Sequence, residues 1–346
     1  MFKNLKRVLL PVFALSLTMA ITACGNGNGT ADSKTASSGS TESSTELKTI
    51  KIASPSQDGT PVENAMLAKS LGYIDEELKA AGYKAEYIGF AQAGPAINEA
   101  LAAGEADYAF YNEFPAIMAK SNGIDLKIIA AVTEDYNYAI IAGKDSGIKT
   151  AKDFEGKKVI ATTGTVLYKY FVDICNSNNV DISSVEFVNA QADASSVLAS
   201  GQADALVTAY SSALQLEDKG IGSIIEDTTA NEDERTGITL AAKSDTLAAK
   251  EDSAIALIRA LKRSADYANK NPDKVYGYLK TESNTEDLLR EIYSYDTSFS
   301  YFQPFFTDEF KNHVENQYSF AKENQLLGSD INIDDLLDDT YLNKIK

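Results

Sequence analysis

The chain has 346 residues, 44% hydrophobic and 24% charged, with 50 acidic against 32 basic residues and a formal net charge of −18. That length permits one large or two ordinary domains with real cores. The acidic excess argues against nucleic acid or an anionic lipid surface as a partner, and leaves the field inside a pocket open.

The first 23 residues read as a leader rather than as part of a fold. Lys3, Lys6 and Arg7 form a basic start. Val8 to Ile21 is an apolar run shorter than the roughly 20 residues of a spanning helix, and small residues follow it. Ile21-Thr22-Ala23 directly precedes Cys24, one of two cysteines. This resembles the lipobox of bacterial lipoproteins, in which the cysteine takes the lipid and becomes the new N-terminus. The resemblance implies a cleaved signal peptide (1–23) and a lipid anchor on Cys24. Stable attachment then follows from acyl chains at about 0.8 kcal/mol per buried methylene. Residues 24–47 are rich in Gly, Ser and Thr without an aromatic, and read as a flexible tether. Cys175, in "YFVDICNS", reads as a buried structural thiol, so no internal disulfide is expected.

From Thr49 the pattern alternates strand and helix. "TIKIAS" is a strand, and "PVENAMLAKSLGYIDEELKAAG" is helical, with Pro61 suited to a first turn and Gly72 and Gly82 as stops. "KAEYIGF" is a strand, followed by a helix from Pro95 to Gly104, the strand "ADYAFY", and a helix from Pro115 to Gly123. "LKIIAAVT" and "YAIIAGK" close the first unit. "TAKD", from Thr150, opens a second unit like a capping box, and "KKVIATT", "VEFVNA", "ADALVTAY" and "GSIIED" are its strands. "TGITLAAK" is strand-like again, after which the chain turns helical. Alternation of this kind predicts parallel or mixed sheets covered on both faces. The economical arrangement has lobe 1 at 48–139 plus 236–346 and lobe 2 at 140–235. Two strand-like links, near Ala139–Gly143 and Glu234–Thr239, would make the hinge.

Leu-Ala-x-Gly-x-Ala-Asp occurs twice, from Leu101 and from Leu198, at equivalent places in the two units. Gly104 and Gly201 read as helix stops, and Asp107 and Asp204 as strand-entry turns.

Catalytic chemistry has little support. The single histidine, His313, is assigned a surface or helix-flanking place on a C-terminal helix, and one histidine builds neither a triad nor a metal cluster. No metal site and no cofactor are expected, and no Gly-x-Ser-x-Gly, Walker or Rossmann pattern stands in its needed context. Helix starts stand out instead. "SPSQDGTP", "FAQAGP", "YNEFP", "TTGT" and "AYSS" each set small, hydroxyl or amide groups before a helix N-terminus at a strand's carboxyl end. Five such ends converging would favour an oxyanion. Tyr111, Tyr136, Tyr138 and Tyr210 are candidates to wall a flatter ligand, against plain core or rim roles among 18 tyrosines. Glu113 and Glu134 are candidates to pair with an amine, against simple solvation or helix-start electrostatics.

"FAQAGPAINEALAAGEADYAFYNEFPAIMAKSNGIDLKIIAA", "GKDSGIKTAKDFEGKKVIATTGT" and "ASGQADALVTA" resemble the solute-binding proteins of ABC importers for aliphatic sulfonates, taurine and nitrate. The wider group includes binders of thiamine-precursor pyrimidines. The resemblance implies an α/β, type II periplasmic-binding-protein fold: two α/β lobes, two crossovers and a ligand cleft between them. It also implies a permease and an ATPase as partners, a monomer, and an extracytoplasmic location on the outer face of the cell membrane.

Residue by residue, it points to Ser56 and Gln57 after the first strand, and to Gln92 and Gly94 in the Ala-Gly-Pro loop. The family's Thr-Gly-Asp stands here as Tyr111-Asn112-Glu113, and its second-lobe Gly-Ser loop as Thr163-Gly164-Thr165. Its Trp-Asp or Trp-x-Pro element is replaced by Ala209-Tyr210-Ser211, and the chain has no tryptophan. The expected function is capture of a small organic solute by hinge closure, a sulfonate or taurine-like oxyanion first, and delivery to a permease, without enzymatic turnover. A pyrimidine or other aromatic heterocycle is the alternative ligand. A pyrimidine-synthase-like enzyme and a sensing lipoprotein without a transporter are the alternatives of another class.

Overall fold

The computed structural model describes residues 46–345 apart from Gln92, Gly164, Asn189, 191–192 and 231–233. The leader, Cys24 and all but the last two residues of the tether lie outside the described residues. The described residues form one compact unit.

Among the described residues ten strands make two five-stranded sheets. They are β1 (Lys48–Ser54), β2 (Tyr83–Gly89), β3 (Tyr108–Asn112), β4 (Leu126–Tyr136), β5 (Tyr138–Gly143), β6 (Lys158–Ile160), β7 (Glu186–Phe187), β8 (Ala205–Ala209), β9 (Gly222–Asp227) and β10 (Thr236–Lys243). The orders are β2-β1-β3-β10-β4 and β7-β6-β8-β5-β9. β10 runs antiparallel to β3 and β4, and β5 antiparallel to β8 and β9. The two sheets thus share one plan, in which the fourth strand in order is the one that enters from the other sheet. β4 and β10 are buried along nearly their whole length, because helices cover both faces.

The repeated motif occupies matched corners of that plan. Gly104 and Gly201 take φ of 74° and 72°, open to glycine without strain. Each helix ends in a Schellman pattern: Glu105 N–H donates to Ala100 O at 2.8 Å and Gln202 N–H to Val197 O at 3.1 Å. Asp107 and Asp204 then open β3 and β8.

Helix boundaries follow local chemistry. Gly72 divides the first helical stretch into Glu63–Ser70 and Tyr73–Ala80. Pro61 falls outside, one residue before the cap Val62, so its first-turn placement is not met. Pro95 and Pro115 do lie in the first turns of Ala93–Ala103 and Glu113–Ser121. Asp153 accepts from the Thr150 N–H at 2.9 Å, as a capping box requires. In Glu251–Lys270 the buried Ala254, Leu257, Ile258, Leu261 and Ala265 form one helical stripe. His313 is only 4% exposed within Asp308–Glu323, so its surface assignment is wrong: it shares the buried face with Phe310 and Val314. Cys175 is fully buried.

The sheets are joined at Asn137, between β4 and β5, and through 228–235, between β9 and β10. The first join comes earlier than Ala139–Gly143, which lie within β5, where Ala139, Ile140 and Ile141 are wholly buried. Thr228 ties the two joins together. Its hydroxyl donates to Asn137 Oδ1 at 2.8 Å and accepts from the Tyr138 N–H at 3.0 Å. Arg235 binds Asp135 Oδ2 at 3.2 Å, donates to the Thr228 and Thr229 carbonyls, and stacks on Tyr295 at 4.8 Å.

Candidate functional site

The carboxyl ends of β1, β3, β6 and β8 open on one cleft, the general place for a ligand in such sheets. All five helix-start segments reach it. Pro55, Gly94, Asn112, Thr165 and Ser211 each come from a different one and line the same chamber. It holds about 1300 Å³ of space, open solvent included. A second chamber of about 860 Å³ shares Val62, Tyr136 and Ser211 with it and is walled by Glu63, Asp135, Tyr210, Tyr293 and Tyr295.

Helix geometry shapes the first chamber. Asn112, Thr165 and Ala209 stand at the N-cap positions of Glu113–Ser121, Val166–Ser177 and Tyr210–Asp218, none with a capping side-chain hydrogen bond. Initial helix N–H groups and the positive dipole ends therefore flank the space, an arrangement suited to partial or full negative charge. Its floor is a hydroxyl and amide cluster. Asn112 Nδ2 donates to the Tyr138 hydroxyl at 2.6 Å, to Thr236 Oγ1 at 3.2 Å and to Gly237 O at 3.2 Å. The Tyr138 and Thr236 hydroxyls are 2.7 Å apart. Tyr136 meets Tyr138 edge-on at 5.4 Å.

The residues named from sequence divide. Gly94, Tyr111, Asn112 and Thr165 line the first chamber, Ser56 and Tyr210 the second, and Ser211 both. Gln57 and Thr163 are exposed and line neither, while Gln92 and Gly164 lie outside the described residues. Glu113 is completely buried, and its Oε1 accepts from the Gly237 N–H at 3.1 Å. Burial pushes its carboxyl up to about 7. Glu134, 6% exposed, accepts from the Thr307 hydroxyl, and burial raises it to about 7. Neither is among the residues lining either chamber, so the structure does not bring them to the cleft as the amine partners expected: Glu113 is tied through Oε1 to Gly237 on β10, and Glu134 to Thr307. Gly94 is there for packing. A Cβ on it would stand 2.3 Å from Pro115 Cγ.

Sequence reasoning missed Glu63, Asp135, Tyr293 and Tyr295. Glu63 is 8% exposed at the start of Glu63–Ser70, and the Tyr293 hydroxyl donates to its Oε2 at 3.0 Å. Burial, with the like charge of Asp135, pushes Glu63 up to about 8. A helix-start acid is an unremarkable sequence feature, and the tyrosines come from a region that shows only helical periodicity. Among the described residues no group of histidine, cysteine and acidic side chains is arranged to hold a metal, and no helix is long and apolar enough to cross a membrane.

Solved structures share this architecture. The alkanesulfonate-binding protein SsuA from Xanthomonas axonopodis pv. citri, bound to MOPS, aligns with a TM-score of 0.69 at 15% identity, over 84% of this chain and 98% of that one. The periplasmic aliphatic sulphonate binding protein SsuA from Escherichia coli aligns at 0.63 and 18% identity, over 84% and 97%. The desulfurization enzyme DSZB aligns at 0.66 and 14%, over 86% and 98%. At these identities the likeness establishes the fold: two α/β lobes of the type II periplasmic-binding-protein kind, joined twice. No curated protein matches in sequence. The family model described as NMT1/THI5 like matches residues 63–275, and the chain accordingly belongs to the NMT1/THI5-like family.

Proposed function

We propose that this protein is the substrate-binding component of an ABC importer, with its first lobe ending at the Asn137 join and resuming at Thr236, and its second lobe between the two joins. It captures a small organic solute in the cleft, closes about the two joins, and delivers the solute to a membrane permease. The observation that carries this reading is the meeting of five helix-start segments, from both sheets, in one chamber. A solute touching both sides favours the closed form by the contacts that only that form makes. Those helix starts support an oxyanionic group, a sulfonate above all, at this end of the ligand.

Binding rather than turnover is supported by the lining, which carries neither histidine nor cysteine among the described residues. Tyr136 and Tyr138 beside the chamber favour a second reading, a flat heterocycle in the same place. Lipidation at Cys24 would hold the monomeric body outside the membrane, within reach of the permease and its ATPase. Mass spectrometry of the mature N-terminus tests that part.

Thermal unfolding with sulfonates, taurine, nitrate and pyrimidines tests the whole. A ligand at 100 times its Kd adds about 2.7 kcal/mol, a shift on the order of 5 °C. Ser211→Trp, which fills the wall common to both chambers, should remove the shift. A shift retained in that variant refutes the cleft as the site.

A further inference from the structure

The second chamber differs in chemistry from the first. Tyr136, Tyr210, Tyr293 and Tyr295 line it together with Glu63 and Asp135, and no lysine or arginine is among its lining residues. Asp135 faces Arg235 at 3.2 Å, and that guanidinium is also engaged by two carbonyls and the Tyr295 ring. Among the described residues no lysine or arginine pairs with Glu63: the charge acting on it is that of Asp135, of its own sign, and its bond is the one from the Tyr293 hydroxyl. A carboxyl nine-tenths buried thus borders a cavity walled by tyrosines, with room beside it for a cation.

We propose that this chamber receives a cationic nitrogen of the solute, a quaternary or protonated amine, held by the Glu63 carboxylate and the surrounding tyrosine rings. Aromatic rings attract cations through their negative faces, and a carboxylate in a water-poor site adds to that attraction. The proposal rests on the cleft being the solute site and specifies what one end of the solute is. The solute then spans both chambers, its anionic or neutral part at the helix starts and its cation at Glu63.

The proposal carries a proton linkage. The groups around Glu63 are Asp135 and Tyr136 from β4, Tyr293, Tyr295 and Tyr301 from the C-terminal return, and, beyond Asp135 and Tyr295, the Arg235 guanidinium that pairs with the one and stacks on the other. With the chamber empty, Glu63 holds a proton up to about pH 8. A permanent cation favours the carboxylate, so binding below that pH releases the proton and affinity rises with pH.

The test is calorimetric titration of the full chain with choline and with its neutral tert-butyl carbon isostere, between pH 6 and 8. Choline should bind saturably, at least tenfold tighter than the isostere, and tighten at least fivefold across that range. Glu63→Gln keeps an acceptor for Tyr293; it should weaken choline tenfold or more and abolish the pH dependence. Ser211→Trp should abolish binding altogether. Absence of choline binding at pH 8, equal affinity for the isostere, or an unaffected Glu63→Gln variant each overturns the proposal. If a member of the sulfonate and pyrimidine panel still binds and is lost in Ser211→Trp, the importer reading stands while this inference fails.

Discussion

The carboxylate of Asp107 accepts the Lys51 backbone N–H at 2.9 Å, while the Asp107 N–H donates to the Lys51 carbonyl at 2.9 Å. Asp204 and Lys158 repeat the pair at 2.8 Å in both directions. In each sheet one aspartate thereby continues the parallel ladder one residue before the strand begins. The twice-used motif is a device for starting a strand beside its neighbour, and the neighbour is the strand whose far end leads to the cleft.

Asp107→Ala and Asp204→Ala should each cost about 1–2 kcal/mol, because each strands a backbone donor and removes a charged acceptor. Asp107 also pairs with Lys250 Nζ at 2.6 Å, so its replacement should cost the more of the two. Solute affinity should be unchanged in both, since these corners lie at the opposite strand ends from the site. Urea unfolding and calorimetry together check this, and a large affinity loss without a stability loss would contradict it.

Stability should fall as pH rises from 5 to 8. In the unfolded chain glutamates ionise near 4.5, whereas burial holds the proton on Glu113 and Glu134 to about 7 and on Glu63 to about 8. Over that window the native state binds more protons than the unfolded one, so the stabilisation is complete at low pH and is lost as pH climbs through the native values. Glu113→Gln should flatten the fall below pH 7, and Glu63→Gln the remainder up to 8. Urea midpoints measured at half-unit steps decide it; a flat wild-type profile goes against the assignment.

Gly94→Ala should destabilise by about 1–3 kcal/mol, because its Cβ meets the Pro115 ring at 2.3 Å and the two first turns must separate. Thermal unfolding reads the loss directly. A neutral outcome would mean that these helices part without cost, and that the chamber wall is softer than its packing indicates.

Cys175 should resist maleimide in the native protein and react once urea unfolds it. The thiol is fully buried among the helix and strand side chains of the second sheet, and burial pushes it up to about 12, so little thiolate exists at neutral pH. Quantitative labelling of the folded chain within minutes would show that this core opens far more easily than its burial implies.

Alternation of strand and helix, the glycine stops, the doubled aspartate corner and the small-residue segments at strand ends were all legible along the chain. They are local: each depends on residues within a turn or on period-two and period-3.6 patterns. Even there, Pro61 was misplaced by a loop that leaves the cap to Val62, and the first join was set too late, because an apolar run such as Tyr138–Gly143 reads alike as a link or as a central strand.

The sequence by itself determined which segments would stand at the cleft and that two matched units would supply them. Only the tertiary structure decided which acids are closed into the core and which border a cavity. Glu113 and Glu63 both open helices and look equivalent in sequence. One is closed over by the Gly237 N–H and the other borders a cavity under Tyr293. The difference arises from chain that returns more than a hundred residues later. A carboxyl's charge state and reach depend on what is packed around it, not on its neighbours along the backbone.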